Sequence, residues 1–261
     1  MNLELDGAVT LVAGASKGIG LACARAFAAA GARVVGVARD ARVLDEAAAE
    51  LRRENLAMAT EAADVGDEAT VLALVERVER DHGPISVLVC SAGAARRFPP
   101  EELGGEAFRQ GMQAKYFTTM YLLDAVVRRM AARGRGSVVN IVGQGGRRAT
   151  PHHIAGGAAN AALMLATVGY ANAYAAQGVR VNAINPGLTL TTRLEEGLEA
   201  QARSSGRSRD ELLAAAVAAV PMGRLAEPCE IADAALFLAS ARASYITGAV
   251  IPMDGGSASV I

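Results

Sequence analysis

Eight consecutive residues, Ala13-Gly14-Ala15-Ser16-Lys17-Gly18-Ile19-Gly20, carry the first chemistry legible in this chain. Glycines spaced G-x-x-x-G-x-G between an apolar run and a helical stretch let the backbone turn tightly and approach a pyrophosphate. The following helix supplies N–H groups and the positive end of its dipole to the same anion. Gly14, Ser16, Lys17, Gly18, Ile19 and Gly20 are therefore candidate nucleotide-binding residues. The next apolar run closes on Ala38-Arg39, not on Asp or Glu. A carboxylate there would accept from a ribose 2′-hydroxyl and repel a 2′-phosphate. Arg39, with its planar fork, and Lys17, a point charge, suit a phosphate instead. The expected nucleotide is NADP(H), with NAD(H) still admissible because Asp40 is placed to pair with Arg39. The plain alternative is two solvated surface cations.

A second feature is a gap in charge. No Lys, Arg, Asp or Glu lies between Arg148 and Arg180, and the stretch runs into Asn182-Ala183-Ile184-Asn185-Pro186-Gly187. Its chemistry is limited to His152, His153, Tyr170 and Tyr174, neither tyrosine followed four residues on by a lysine, and amides such as Asn160. The uncharged part is long enough to resemble a membrane span, but Asn160, Asn172, Gln177 and several glycines weaken its hydropathy. The expectation is a helix buried between protein surfaces, with no membrane contact.

The elements that must position these groups alternate. Strands are expected over 9–13, 33–37, 57–62, 86–89, 137–142, 179–184 and 249–251, and helices over 18–30, 41–53, 68–80 and about 106–132. Such alternation predicts an α/β fold: a doubly wound parallel sheet, Rossmann-like, of about seven strands flanked by helices on both faces. One domain over residues 1–261 is expected, with residues 188–221 as a helical lid inserted in it. The chain is 52% hydrophobic and 20% charged, which excludes disorder, and its net charge of −1 gives no footing for nucleic acid. Cys23, Cys90 and Cys229 have no metal-ligand spacing and read as buried thiols in a reducing, cytoplasmic setting.

The glycine spacing resembles that of the short-chain dehydrogenase/reductase family, and the resemblance extends over nearly the whole chain. Asp64-Val65 matches the pair that contacts adenine, and Cys90-Ser91-Ala92-Gly93 stands where the family has N-N-A-G. Asn185-Pro186-Gly187 with Thr191 matches P-G-x-x-x-T, and Pro221-Met222-Gly223-Arg224-Leu225, Tyr245-Ile246-Thr247-Gly248 and Asp254-Gly255-Gly256 match the C-terminal signature. The resemblance adds Asp64, Val65, Ala92, Gly93, Pro186, Gly187 and Thr191 to the cofactor-binding set. It implies an NADP(H)-dependent oxidoreductase acting on a small-molecule carbonyl or alcohol, assembled as a homo-oligomer, a dimer of dimers.

The same resemblance implies a catalytic Ser-Tyr-Lys-Asn set, and here the chain departs. The serine position holds Gly143, the tyrosine position Gly156, the lysine position Asn160 and the asparagine position Lys115; no Y-x-x-x-K occurs anywhere. Lys115 is the first candidate for an atypical proton donor and His153 the second, with Gln144 and Asn160 able to hydrogen-bond a substrate oxygen. The two glycines are alternatively expected to enlarge the cavity. Two further readings stay open: a lyase or isomerase on the same scaffold, and a non-catalytic nucleotide-binding partner subunit.

Overall fold

Apolar, β-branched runs that are hydrophobic on both sides form strands buried on both faces, which is the signature of a parallel sheet. The computed structural model describes residues 3–93 and 95–258. Among these, β1 (Val9–Ala13), β2 (Arg33–Ala38), β3 (Met58–Ala62), β4 (Ile85–Cys90), β5 (Gly136–Ile141), β6 (Val179–Pro186) and β7 (Val250–Met253) form one sheet. The order is β3-β2-β1-β4-β5-β6-β7 and every pairing is parallel. Side chains alternate across the sheet with period two. Leu11 and Ala13 join the core under α3 (Glu68–His82), α5 (Thr118–Ala132) and α6 (Ile154–Tyr174), whereas Val12 joins the core under α1 (Gly18–Ala29), α2 (Ala41–Arg53) and α9 (Pro228–Ala239).

The sequence reading differs from the structure in one consequential place. The single helix expected over 106–132 is α4 (Gly105–Met112) and α5, joined by a π-helical turn, Gln113–Phe117. A Cβ on Gly93 would overlap the Ala114 carbonyl oxygen, so the loop after β4 lies against this turn. Thr118 Oγ1 donates to the Gln113 carbonyl at 2.8 Å, and Gln113 Nε2 donates to the Gly66 carbonyl at 2.8 Å. These bonds occupy groups outside the regular helical ladder. A π turn adds one residue to the helical repeat and re-aims the side chains it carries, here including Lys115.

Other departures are smaller. Cys23 and Cys90 are buried, their thiols pushed up to about 12 by burial, but Cys229 is exposed near the start of α9 and does not join them. The insertion over 188–221 folds as α7 (Thr192–Ser205) and α8 (Arg209–Ala218), capped by Thr191 and Ser208. The uncharged segment Pro151–Gln177 is long and apolar enough to cross a bilayer. Within it, Ala155, Ala159, Leu163, Thr167 and Ala171 form one buried stripe at i, i+4 spacing.

Candidate active site

The chain adds strands on one side of β1 and then turns back to place β4 on the other side. Loops leaving the carboxyl ends of β1 and β4 diverge there and open a crevice. Gly14 N donates to Val37 O at 2.8 Å and Ser91 N to Ala13 O at 3.0 Å, locking the two loops to neighbouring strands. At Gly14, with φ of 81°, a Cβ would lie 2.9 Å from the backbone of Ser91 and Ala92. A Cβ on Gly20 would overlap the Gly14 carbonyl, so α1 is seated directly on the glycine loop.

The donors at this end are left for a ligand. Asp40 caps α2 through Val43 N at 3.1 Å and Asp67 caps α3 through Thr70 N at 2.7 Å, but Lys17 at the head of α1 makes no such cap and no acid follows it. The first N–H groups of α1 therefore face an anion site with no internal competitor. Because Asp40 is committed to its cap, it does not pair with Arg39, which is exposed and has no ion pair among the described residues. Lys17 lies 3.8 Å from Glu196 on α7, an exposed pair of little strength. The Thr191 methyl comes within 3.3 Å of the place a Cβ on Gly18 would take, so the loop after β6 reaches the same crevice. Asp64 accepts from Gly66 N at 2.9 Å, Val65 and Pro186 are buried, and Gly187 N donates to Met253 O at 2.9 Å.

Deeper in the crevice, residues from three elements meet. Lys115, partly buried on the π turn, donates from Nζ to the Val142 carbonyl at 3.0 Å, beside Gly143. A Cβ on Gly143 would lie 3.4 Å from Asn160 Nδ2 on α6. Burial, and then the charge of Arg193, pull the Lys115 ammonium down to about 8. The paired histidines separate: His152 is exposed, whereas the His153 ring turns inward. A Cβ on Gly156 would overlap that ring and come 2.8 Å from Ala95 Cβ; one on Gly145 would lie 2.8 Å from His153 Cδ2. The space opened at Gly156 is thus taken by His153, which corrects the expectation of a cavity enlarged there. Burial, followed by the charges of Arg97, Lys115 and Arg193, pushes His153 below its ordinary 6.5. Buried Asn160 Oδ1, Gln144 Oε1 and His153 Nδ1 have no partner among the described residues. A cavity of about 250 Å³ opens beside His153, bounded by Gly145, Gly146, Thr150 and Gly157.

A family model described as enoyl-(acyl carrier protein) reductase matches residues 14–258. Galactitol 2-dehydrogenase (L-tagatose-forming) of Cereibacter sphaeroides is 40% identical over 255 residues, 97% of this chain and 96% of its own. Gluconate 5-dehydrogenase of Gluconobacter oxydans is 35% identical over 253 residues, 97% of this chain and 95% of its own. The crystal structure of L-sorbose reductase from Gluconobacter frateurii, complexed with NADPH and L-sorbose, has a TM-score of 0.93 at 30% identity and covers 100% of both chains. The chain belongs to the short-chain dehydrogenase/reductase family.

Relative to the short-chain dehydrogenase/reductase pattern, the structure brings Lys115, Gly143, Gly156 and Asn160 into one continuous cluster, with His153 filling between Gly145 and Gly156. It also removes Tyr170 as a substitute. Tyr170 donates to Asp124 Oδ1 at 2.9 Å, and burial together with that carboxylate raises its hydroxyl. Tyr116 and Phe117 meet edge to face, and Phe117 stacks on Tyr121, in an aromatic row along the π turn and α5. Two residues escaped the sequence reading: Arg97, in the loop after β4, and Arg193, at the start of α7. Both act on His153 electrostatically. Their separation in sequence, 96 positions, hid the pairing; the only signal was an arginine two residues beyond Thr191.

Proposed function

We propose that the protein is an NADP(H)-dependent oxidoreductase that interconverts a carbonyl and an alcohol on a polyhydroxylated, sugar-type carbon chain, with Lys115 as its proton donor. The observation that carries the reading is the seating of α1 on the glycine loop with its N–H groups uncapped, joined to the Lys115 turn through the loop after β4 that packs on both. The relatives named for galactitol, gluconate and L-sorbose support the substrate class. Unpartnered acceptors on Asn160 and Gln144 suit a substrate rich in hydroxyl donors.

The glycine loop and the head of α1 would hold the dinucleotide phosphates, with Arg39 and Lys17 for a 2′-phosphate. When bound, the nicotinamide supplies or accepts the hydride at the substrate carbon. In reduction the substrate oxygen must gain a proton, and the donor must be charged or acidic beforehand. Lys115, near 8, is protonated at pH 7; His153, pushed below 6.5, is neutral there. That difference assigns the acid to Lys115. Its Nζ spends one N–H on Val142 and keeps two for the substrate oxygen. In the alcohol direction the neutral amine accepts the proton back.

The test is direct. Titration with NADPH and NADH by fluorescence, followed by cofactor oxidation over a panel of ketoses and hydroxy ketones, is expected to show tight NADPH binding and turnover. Binding without turnover on a broad panel would sink the redox reading. Arg39→Ala is expected to weaken NADPH roughly 10-fold or more, since a charge-assisted hydrogen bond is lost, and to leave NADH unchanged. Equal loss for both nucleotides would assign Arg39 another role.

Assembly is proposed through α6. Its outward stripe, Ala158, Ala161, Leu165, Gly169 and Asn172, is small or apolar, and Leu165 is 76% exposed. Small residues at this spacing permit close packing of a second copy across a two-fold axis. Leu165→Glu is expected to lower the mass seen by light scattering from an oligomer to a smaller species. A monomeric parent protein would refute the assembly outright.

A further inference from the structure

Cations gather at one end of the cleft without carboxylates to match them. Arg97, Lys115, His153 and Arg193 come from four separate segments. Arg193 Nη2 lies 3.4 Å from the Ala95 carbonyl, and Ala95 Cβ and the His153 ring flank the same point above Gly156. Phe98 N donates to the His152 carbonyl at 3.2 Å, which ties the loop bearing Arg97 to the turn bearing His153. Arg96 is turned aside, its guanidinium 4.9 Å from the Phe98 ring centre. The remaining three cations repel one another and disfavour charge on His153: Arg193 is lowered by partial burial and Arg97, Lys115 by burial and Arg193, and His153 by burial and then all three.

Several arginines elsewhere are answered by carboxylates, and the partly buried Arg180 by backbone carbonyls. Arg133 pairs with Glu79 at 2.8 Å, Arg224 with Glu230 at 2.7 Å, and Arg25 with Glu54 at 2.8 Å. None of Arg97, Lys115, His153 and Arg193 has an ion pair among the described residues. The carboxylate that partly offsets Arg193, Glu196, is 3.8 Å from Lys17. A like-charge cluster that the fold leaves uncompensated costs stability unless an anion arrives to occupy it. The N–H groups at the uncapped head of α1 are a separate set of donors from these side-chain cations.

We infer that the substrate carries a terminal oxyanion, a carboxylate or a phosphate ester at the end of its polyhydroxylated chain, held by Arg193 and Arg97. Both anions match the arginine fork in the same bidentate way. The inference rests on the oxidoreductase reading only for the place of the substrate in the cleft.

The experiment is calorimetric titration of the full chain saturated with NADPH, a complex in which an alcohol binds but cannot react. D-Glucitol, D-gluconate and D-glucitol 6-phosphate serve as neutral, carboxylate and phosphate probes of one skeleton. At least one anion is expected to bind 10-fold or more tightly than glucitol, and the stronger of the two identifies the oxyanion. Arg193→Gln is expected to abolish that preference, and Arg97→Gln to reduce it, with NADPH affinity unchanged and Tm equal to or above that of the parent. Equal binding of all three probes overturns the inference. So does an Arg193→Gln variant that loses NADPH but keeps the preference, since the cations would then serve the nucleotide. Anion preference without turnover on any probe supports the oxyanion site and counts against the redox reading instead.

Discussion

Replacing Lys115 with methionine is expected to lower carbonyl reduction by roughly 10²–10⁴-fold while raising the melting temperature. The two effects come from one cause. Burial and Arg193 hold the ammonium at about 8 in the folded protein against an ordinary 10.5. Between those values the folded state binds fewer protons than the unfolded chain, so stability climbs as pH rises from about 8 to 10.5. At pH 7 the charged lysine is therefore a burden on the fold, and methionine of similar length relieves it. The variant gives up the hydrogen bond to Val142, and a single hydrogen bond contributes about 1 kcal/mol net. In the parent protein the reduction rate should be flat below pH 8 and fall above it as the acid deprotonates. In the variant the residual rate should lack that limb. A lysine with no part in the proton transfer would give the same rise in Tm, but with unchanged kcat and no change in pH profile. Steady-state NADPH oxidation from pH 6 to 10, with thermal melts over the same range, decides between them.

Gly20→Ala is the second large effect. Gly20 lies in α1, where any residue adopts the backbone, so the cost is contact alone. The new methyl would overlap the Gly14 carbonyl oxygen and stand 2.7 Å from the Gly14 carbonyl carbon, both backbone atoms that cannot swing aside. The helix must lift from the loop, against a core in which Cys23, Ala24 and Phe27 of α1 are fully buried. Forced overpacking costs about 1–3 kcal/mol, which corresponds to roughly 5- to 150-fold in NADPH affinity if the strain is released at the crevice. Gly197→Ala, on α7, is the control, because a Cβ there meets nothing within 4 Å. Unchanged NADPH affinity in Gly20→Ala would mean that the head of α1 does not hold the phosphates.

The nucleotide end was readable because its determinants are local. Glycine spacing, the missing acid at Ala38 and the alternation of apolar runs all act within a few residues, and strand order follows from right-handed connections. Even there, one local pairing went elsewhere: Asp40 satisfies the N–H of Val43 at the head of α2, which an adjacent arginine cannot replace. The substrate end was less legible. A helix-period reading over 106–132 has no means of marking the π turn, since the turn arises from contact with Gly93 after β4 and from the Thr118 hydroxyl. Cys229 counted as a buried thiol by residue type, but the start of α9 leaves it exposed.

The sequence by itself determined the family, the parallel sheet and the glycine loop. These depend on residue identity and spacing. Only the tertiary structure decided what occupies the space beside Gly143 and Gly156. His153 folds back over Gly156 because a void beside α6 loses dispersion contacts that an imidazole one turn earlier can restore. Arg97, in the loop after β4, and Arg193, at the start of α7, both disfavour charge on His153, and charge acting at a distance has no sequence period to reveal it.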